Sequence, residues 1–129
     1  MGTRCLIGTE NKDHTITMVY CHWDGYPEHT GDRLLNHYNS KNKIQDLIDK
    51  GSFSFLEENI DDISFYTDTQ GIEKEIYHFK SLDELNQKLH EMWDIEWFYL
   101  YDLTHDEPQW FAAENKDDAL FWQTLRLLV

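Results

Sequence analysis

Apolar positions along this chain recur with two periods, and the switches between them mark the elements. A short apolar run over 3–8, closed by Gly8, reads as a strand. Over 14–21 the pattern alternates, with Ile16, Met18 and Tyr20 on one face and Thr15, Thr17, Val19 and Cys21 on the other. A polar turn over 9–13 makes this pair a hairpin, and Gly25 and Pro27 mark 23–30 as a loop. The period then becomes helical. Thr30 is placed to cap a helix to Tyr38 with Leu34, Leu35 and Tyr38 inward. Ser40 is placed to cap a second, whose stripe is Ile44, Leu47 and Ile48 and whose stop is Gly51. Strands over 63–66 and 72–79 around a turn predict a second hairpin. Ser81 with Glu84 forms a capping box ahead of Leu82, Leu85, Leu89 and Met92. A long strand over 95–103 puts Trp97, Tyr99 and Tyr101 on one face and Phe98 and Leu100 on the other, and 109–113 pairs back as a third hairpin. Asn115 with Asp118 predicts a last helix to Leu128, apolar almost all round, which must be buried or packed on a partner.

The element order predicts a single α+β domain over 1–129, with a largely antiparallel sheet built from three hairpins and helices packed on one face. The size agrees: 129 residues support one core. With 15% aromatic residues and only six glycines and two prolines, neither a disordered chain nor a linker fits.

Charge narrows the function classes. The net charge is -14; residues 51–129 carry 18 acids against five bases, whereas 1–50 is nearly balanced. Such a field repels nucleic acid and anionic membranes and attracts basic partners. No apolar run is long enough to span a bilayer. No secretory signal is read at the N-terminus, and two cysteines make no disulfide scaffold, so a cytoplasmic protein is expected. Phosphate-loop and dinucleotide-binding glycine patterns are absent, so no cofactor is expected.

The densest run of functional side chains is Tyr20-Cys21-His22-Trp23-Asp24-Gly25-Tyr26. With Met1-Gly2-Thr3-Arg4, Leu34-Leu35-Asn36-His37-Tyr38 and Leu47-Ile48-Asp49-Lys50-Gly51, the chain resembles a group of small proteins of unknown function encoded by bacteriophages, prophages and plasmids. The likeness covers about the first 55 residues and implies a setting, cargo of a mobile element in a bacterial host, but no activity.

Three readings of the block compete. Cys21, His22, Asp24 and His37 are the candidate catalytic residues of a small hydrolase or nucleotide-modifying enzyme. Strand neighbours face opposite ways, so His37 rather than His22 would have to reach the Cys21 sulfur. His22, Asp24, His29 and His37 offer metal ligands, yet no H-x-x-x-H or C-x-x-C spacing supports a site, and no metal is expected. In the third reading Asp24-Gly25 is a tight turn and Trp23 and Tyr26 are anchors for the fold or for a partner. Trp23, Asp24, Tyr26, His29, Trp97 and Tyr99 are then the candidate binding residues.

The leading expectation is an accessory protein that binds and inhibits a basic host protein, one serving defence or handling nucleic acid. A small-ligand pocket near Arg4 and Arg33 is the remaining alternative. The last helix is the candidate surface for a homo-oligomer.

Overall fold

The computed structural model describes residues 2–129. At its centre β1 (Cys5–Glu10) runs antiparallel to β2 (Ile16–Trp23), with Cys5 opposite Cys21 and Glu10 opposite Ile16. The hairpin is closed by an Asn11–Thr15 backbone bond of 2.8 Å. Two short strands share the outer edge of β2. β3 (Phe53–Phe55) lies parallel to its end, Trp23 opposite Phe55, and β4 (Tyr77–Phe79) lies antiparallel to its start. On the other side β1 pairs in parallel with β5 (Trp97–Asp102), which forms a hairpin with β6 (Trp110–Lys116). β7 (Ala119–Leu120) and β8 (Gln123–Thr124) fold back onto β6.

The domain is α+β with an open sheet of eight strands. The sheet is mixed, not largely antiparallel, because β1–β5 and β2–β3 are parallel. Both parallel pairs join segments distant in sequence, which a local reading for hairpins does not see. The first and last hairpins are present. The middle one is not: Phe65 makes a single bridge to Phe53, and the chain then turns into α3 (Tyr66–Thr69). Ile63 and Phe65 are drawn into the core, the Phe65 and Phe53 rings meeting edge to face at 5.7 Å. Only β4 remains of the second predicted strand.

Helices also cover both faces rather than one. α1 (Asp32–His37) and α2 (Lys41–Asp49) bring Leu34, Ile44, Leu47 and Ile48 onto Ile7, Val19, Cys21 and Tyr99. α4 (Leu82–Gln87) and the 3-10 turn Leu89–Met92 bring Leu85 and Leu89 onto Leu6, Met18, Phe98 and Leu100. The reason lies in the two central strands. Cys5, Leu6 and Ile7, like Phe98, Tyr99 and Leu100, are buried at successive positions, so each strand buries both of its faces. Two of the three expected caps form: the Ser40 and Ser81 hydroxyls accept from the N–H groups of Lys43 and Glu84. Thr30 does not cap; it lies within a π-helical turn over Pro27–Gly31, its hydroxyl donates to the Asp24 carbonyl, and α1 starts after Gly31 without a side-chain cap.

The predicted last helix does not form. Asp117 and Asp118 take positive φ angles of 54° and 57° and reverse the chain. The Asn115 amide donates to the Ile95 carbonyl instead of capping a helix. After β8 only the 3-10 turn Leu125–Leu128 follows. The helix through which a homo-oligomer was expected is therefore not there. Leu125 is buried against Gly31, while Phe121 and Leu127 are exposed. No helix among the described residues is long and apolar enough to cross a membrane.

Candidate functional site

β2 delivers the Tyr20–Trp23 side chains to alternate faces as the strand period requires. Val19 and Cys21 enter the core beneath α1 and α2. Tyr20 and His22 turn the other way and meet, hydroxyl to Nδ1, at 2.6 Å. The His22 ring stands edge-on to Trp23 at 4.6 Å.

Cys21 is fully buried and sits opposite Cys5, and both thiols are free. The Cys21 Sγ donates to the Trp23 carbonyl at 3.5 Å. Burial, reinforced by the neighbouring Cys21, pushes the Cys5 thiol well up. Both thiols are sealed in the core, out of reach of solvent reagents, and the Cys5 thiol is held away from the reactive thiolate form. His37 lies on α1, its Nε2 3.9 Å from the Glu58 carboxylate. Cys21, His22, Asp24 and His37 make no hydrogen bond to one another. Among the described residues no three His, Cys, Asp or Glu side chains are placed to hold a metal ion. Ellman's reagent is therefore expected to leave the native protein unlabelled and to titrate two thiols once it is unfolded. Cys21→Ala is expected to cost roughly 1–2 kcal/mol in chemical denaturation, the order of a small buried group. Rapid labelling of the native chain would refute the core assignment.

Beyond Trp23 the loop is pinned through its backbone. Asp24 adopts a positive φ of 53°, tolerated by Asp better than by most side chains. The Gly25 N–H donates to the Thr3 carbonyl at 2.8 Å. The Tyr99 hydroxyl donates to the Gly25 carbonyl at 2.6 Å, and the Thr30 hydroxyl to the Asp24 carbonyl at 2.7 Å. Gly25 itself rests on Cys5: a Cβ there would stand 2.9 Å from the Cys5 Sγ and 2.7 Å from the Thr3 carbonyl oxygen. Every clamp acts on the main chain, so the flanking side chains are left to face outward. Trp23 is 47% exposed and Tyr26 36% exposed.

A ridge of rings and charges continues from this loop. Tyr26 lies 6.2 Å from His29, and His29 lies 4.5 Å from Phe55. The Arg33 guanidinium sits 5.6 Å from the Phe55 ring centre and 3.8 Å from the Glu58 carboxylate. Burial first, then Arg33, lowers the His29 pKa, so the imidazole stays neutral at pH 7. Its Nε2 is buried without a hydrogen-bond partner. Past Glu58 an open groove of about 430 Å³ lies between His37, Tyr38, Lys43 and Asp46.

The structure thus gathers Trp23, Tyr26 and His29 around one loop and sets Trp97 and Tyr99 apart from that surface. Tyr99 is wholly buried and holds the loop from below; Trp97, half-buried, stacks on it at 6.3 Å. Phe55 and Glu58 were not singled out from sequence for this region, Thr30 was expected as a helix cap, and Arg33 was expected beside a small-ligand pocket. Gly25 was the one local hint, since a glycine between aromatics often marks a close backbone approach. No protein-family model, curated protein or solved structure matches the chain.

Proposed function

We propose that this chain is a binding protein, which presents the Trp23–Tyr26 loop to a basic protein of a bacterial host and blocks it. The observation that supports this reading is a rigid loop with outward aromatics. Clamps from Thr3, Thr30 and Tyr99 hold the backbone, yet Trp23 and Tyr26 remain exposed. Large rings fixed before binding lose little entropy on docking, and Trp and Tyr are enriched among residues that dominate interface energies. The net charge of -14 favours a partner with a basic surface and speeds its encounter. The resemblance to mobile-element proteins suggests that the partner belongs to the host. The enzyme reading gains no support from a geometry in which Cys21 is sealed in the core.

The test is capture from host lysate by the tagged protein at low and moderate salt, beside Trp23→Ala/Tyr26→Ala. Both substitutions remove exposed side chains, so the variant is expected to fold. We expect one basic, nucleic-acid-handling protein to be retained, less at the higher salt, and capture to fall at least about tenfold in the variant. No specific partner at either salt, or equal capture by the variant, refutes the proposal.

A further inference from the structure

A second cavity lies on the α4 side of the sheet, away from the loop clamps. Its volume is about 340 Å³, the small end of the range for ligand pockets. Leu6 and Ile95, both buried, form its apolar floor together with half-buried Met92. Tyr20 and Tyr77 stand along it, and Glu75, Glu91 and Asp94 surround them.

Its walls are tied to the sheet. The Tyr77 hydroxyl donates to the Glu75 carboxylate at 2.6 Å. The buried Ser52 hydroxyl accepts from the Tyr20 N–H at 3.1 Å and donates to the Glu75 carbonyl at 2.9 Å. Burial holds the Tyr20 hydroxyl up at about 12, so it is neutral at pH 7 and adds no charge of its own. Arg4 opposes from one side, where it acts on that hydroxyl. Glu75, Glu91 and Asp94 take part in none of the ion pairs among the described residues.

Three features together define what fits. The carboxylates are not gathered on a point, for no three acidic or histidine side chains among the described residues are placed to hold a metal. They are spread around a hollow whose base is apolar. Tyrosine rings beside it attract a cation through their negative faces, and an apolar base suits an alkyl stem. An inorganic ion finds too few donors here. An anionic ligand meets three negative charges, and a neutral one supplies no counter-charge to them.

We propose that this cavity is a receptor for one alkylammonium or guanidinium group carried on a short apolar stem. The group enters between Tyr20 and Tyr77 with its stem on Leu6, Met92 and Ile95 and its charge toward Glu91 and Asp94. A neighbouring hollow of about 280 Å³ shares Tyr77, Glu91 and Met92 and is also lined by His78 and Lys88, so the groove continues past the cation with a basic side chain along the extension. That extension leaves room for the chain that bears the group. The proposal does not depend on the loop reading, because it is measured on the isolated protein without its partner.

The test is a nuclear magnetic resonance titration of the full chain at low salt. The probes are N-acetyl-lysine methylamide, agmatine and 1,5-diaminopentane, the neutral N-acetyl-norleucine methylamide, and a pentapeptide with one central lysine. The expected result is saturable 1:1 binding of the cations, with shifts at Tyr20, Tyr77 and Met92, and no saturation with the neutral probe. Glu91→Gln/Asp94→Asn is expected to weaken binding at least tenfold, and Glu75→Gln by a smaller factor. Glu75 and Glu91 are exposed and Asp94 is half-buried, so both variants should keep the native spectrum elsewhere. Tighter binding of the pentapeptide identifies the source as a side chain of a partner protein. Tighter binding of the free diamine identifies a small metabolite. Absence of saturable binding by any cation, or equal binding by the charge-neutralised variant, overturns the proposal.

Discussion

Gly8→Ala is expected to abolish folding. Gly8 lies in β1 at the middle of the sheet, paired with Met18 on one side and Leu100 on the other. A Cβ at this position would collide with the Thr17 carbonyl oxygen and stand 2.7 Å from the Met18 Cα. Both obstacles are main-chain atoms, which cannot swing aside as the tip of a side chain can. Relief requires β1 and β2 to separate, and that breaks the hairpin on which the rest of the sheet is built. Overpacking a core commonly costs ~1–3 kcal/mol; a clash with backbone on a central strand belongs above about 4, comparable to the whole stability of a small domain. Gly8→Ala should therefore be recovered as insoluble or molten material, without a cooperative transition in thermal circular dichroism. A variant that melts as the parent does would show that the β1–β2 register is different.

Tyr99 carries the second large effect, through two separable contributions. The side chain is fully buried on β5 against the Cys5 and Cys21 side of the core. Its removal in Tyr99→Ala is expected to cost about 3–5 kcal/mol, as for other large aromatic truncations. Tyr99→Phe keeps the ring and loses only the bond to the Gly25 carbonyl. That leaves a buried acceptor unpaired, a penalty of about 1–3 kcal/mol. The Phe variant is expected to fold, to unfold at lower denaturant, and to exchange the amides of residues 24–26 faster than the parent. Because Trp23 and Tyr26 flank that loop, it should also capture a partner more weakly while retaining both rings. Unchanged amide exchange in Tyr99→Phe would show that Thr3 and Thr30 suffice to hold the loop.

The local elements of the first half were legible because their signals are short-range. Ile16, Met18 and Tyr20 alternate with Val19 and Cys21 as the pleat demands, and those two sets enter opposite core clusters. Ser40 and Ser81 cap helices through bonds three residues long. The misread segments are those in which tertiary partners outweighed the local pattern. Residues 63–66 alternate like a strand, but burial of Ile63 and Phe65 left only one bridge. Residues 115–128 have helical spacing, but the turn at Asp117 and Asp118 and pairing with β6 made two short strands.

The site divides in the same way. That Trp23-Asp24-Gly25-Tyr26 is a turn bearing aromatics could be read from its residues. That its carbonyls are held by Thr30 and by Tyr99, 74 positions away, could not. The cavity at Tyr20 and Tyr77 was also hidden, since β2, the strand before α4 and the turn after it meet only in the folded sheet.

What the amino-acid sequence determined by itself is therefore the alternation of β2 and β5, the caps at Ser40 and Ser81, the α+β class and the acidic field, because each depends on neighbours within a turn or a pleat or on composition alone. Tertiary structure decided the parallel pairing of β1 with β5, the burial of both sheet faces, the fate of the last segment, and which side chains were sealed in or left facing out. Those outcomes follow from competition among distant segments for the same backbone edges and the same apolar surface, and no local pattern records which segment prevails.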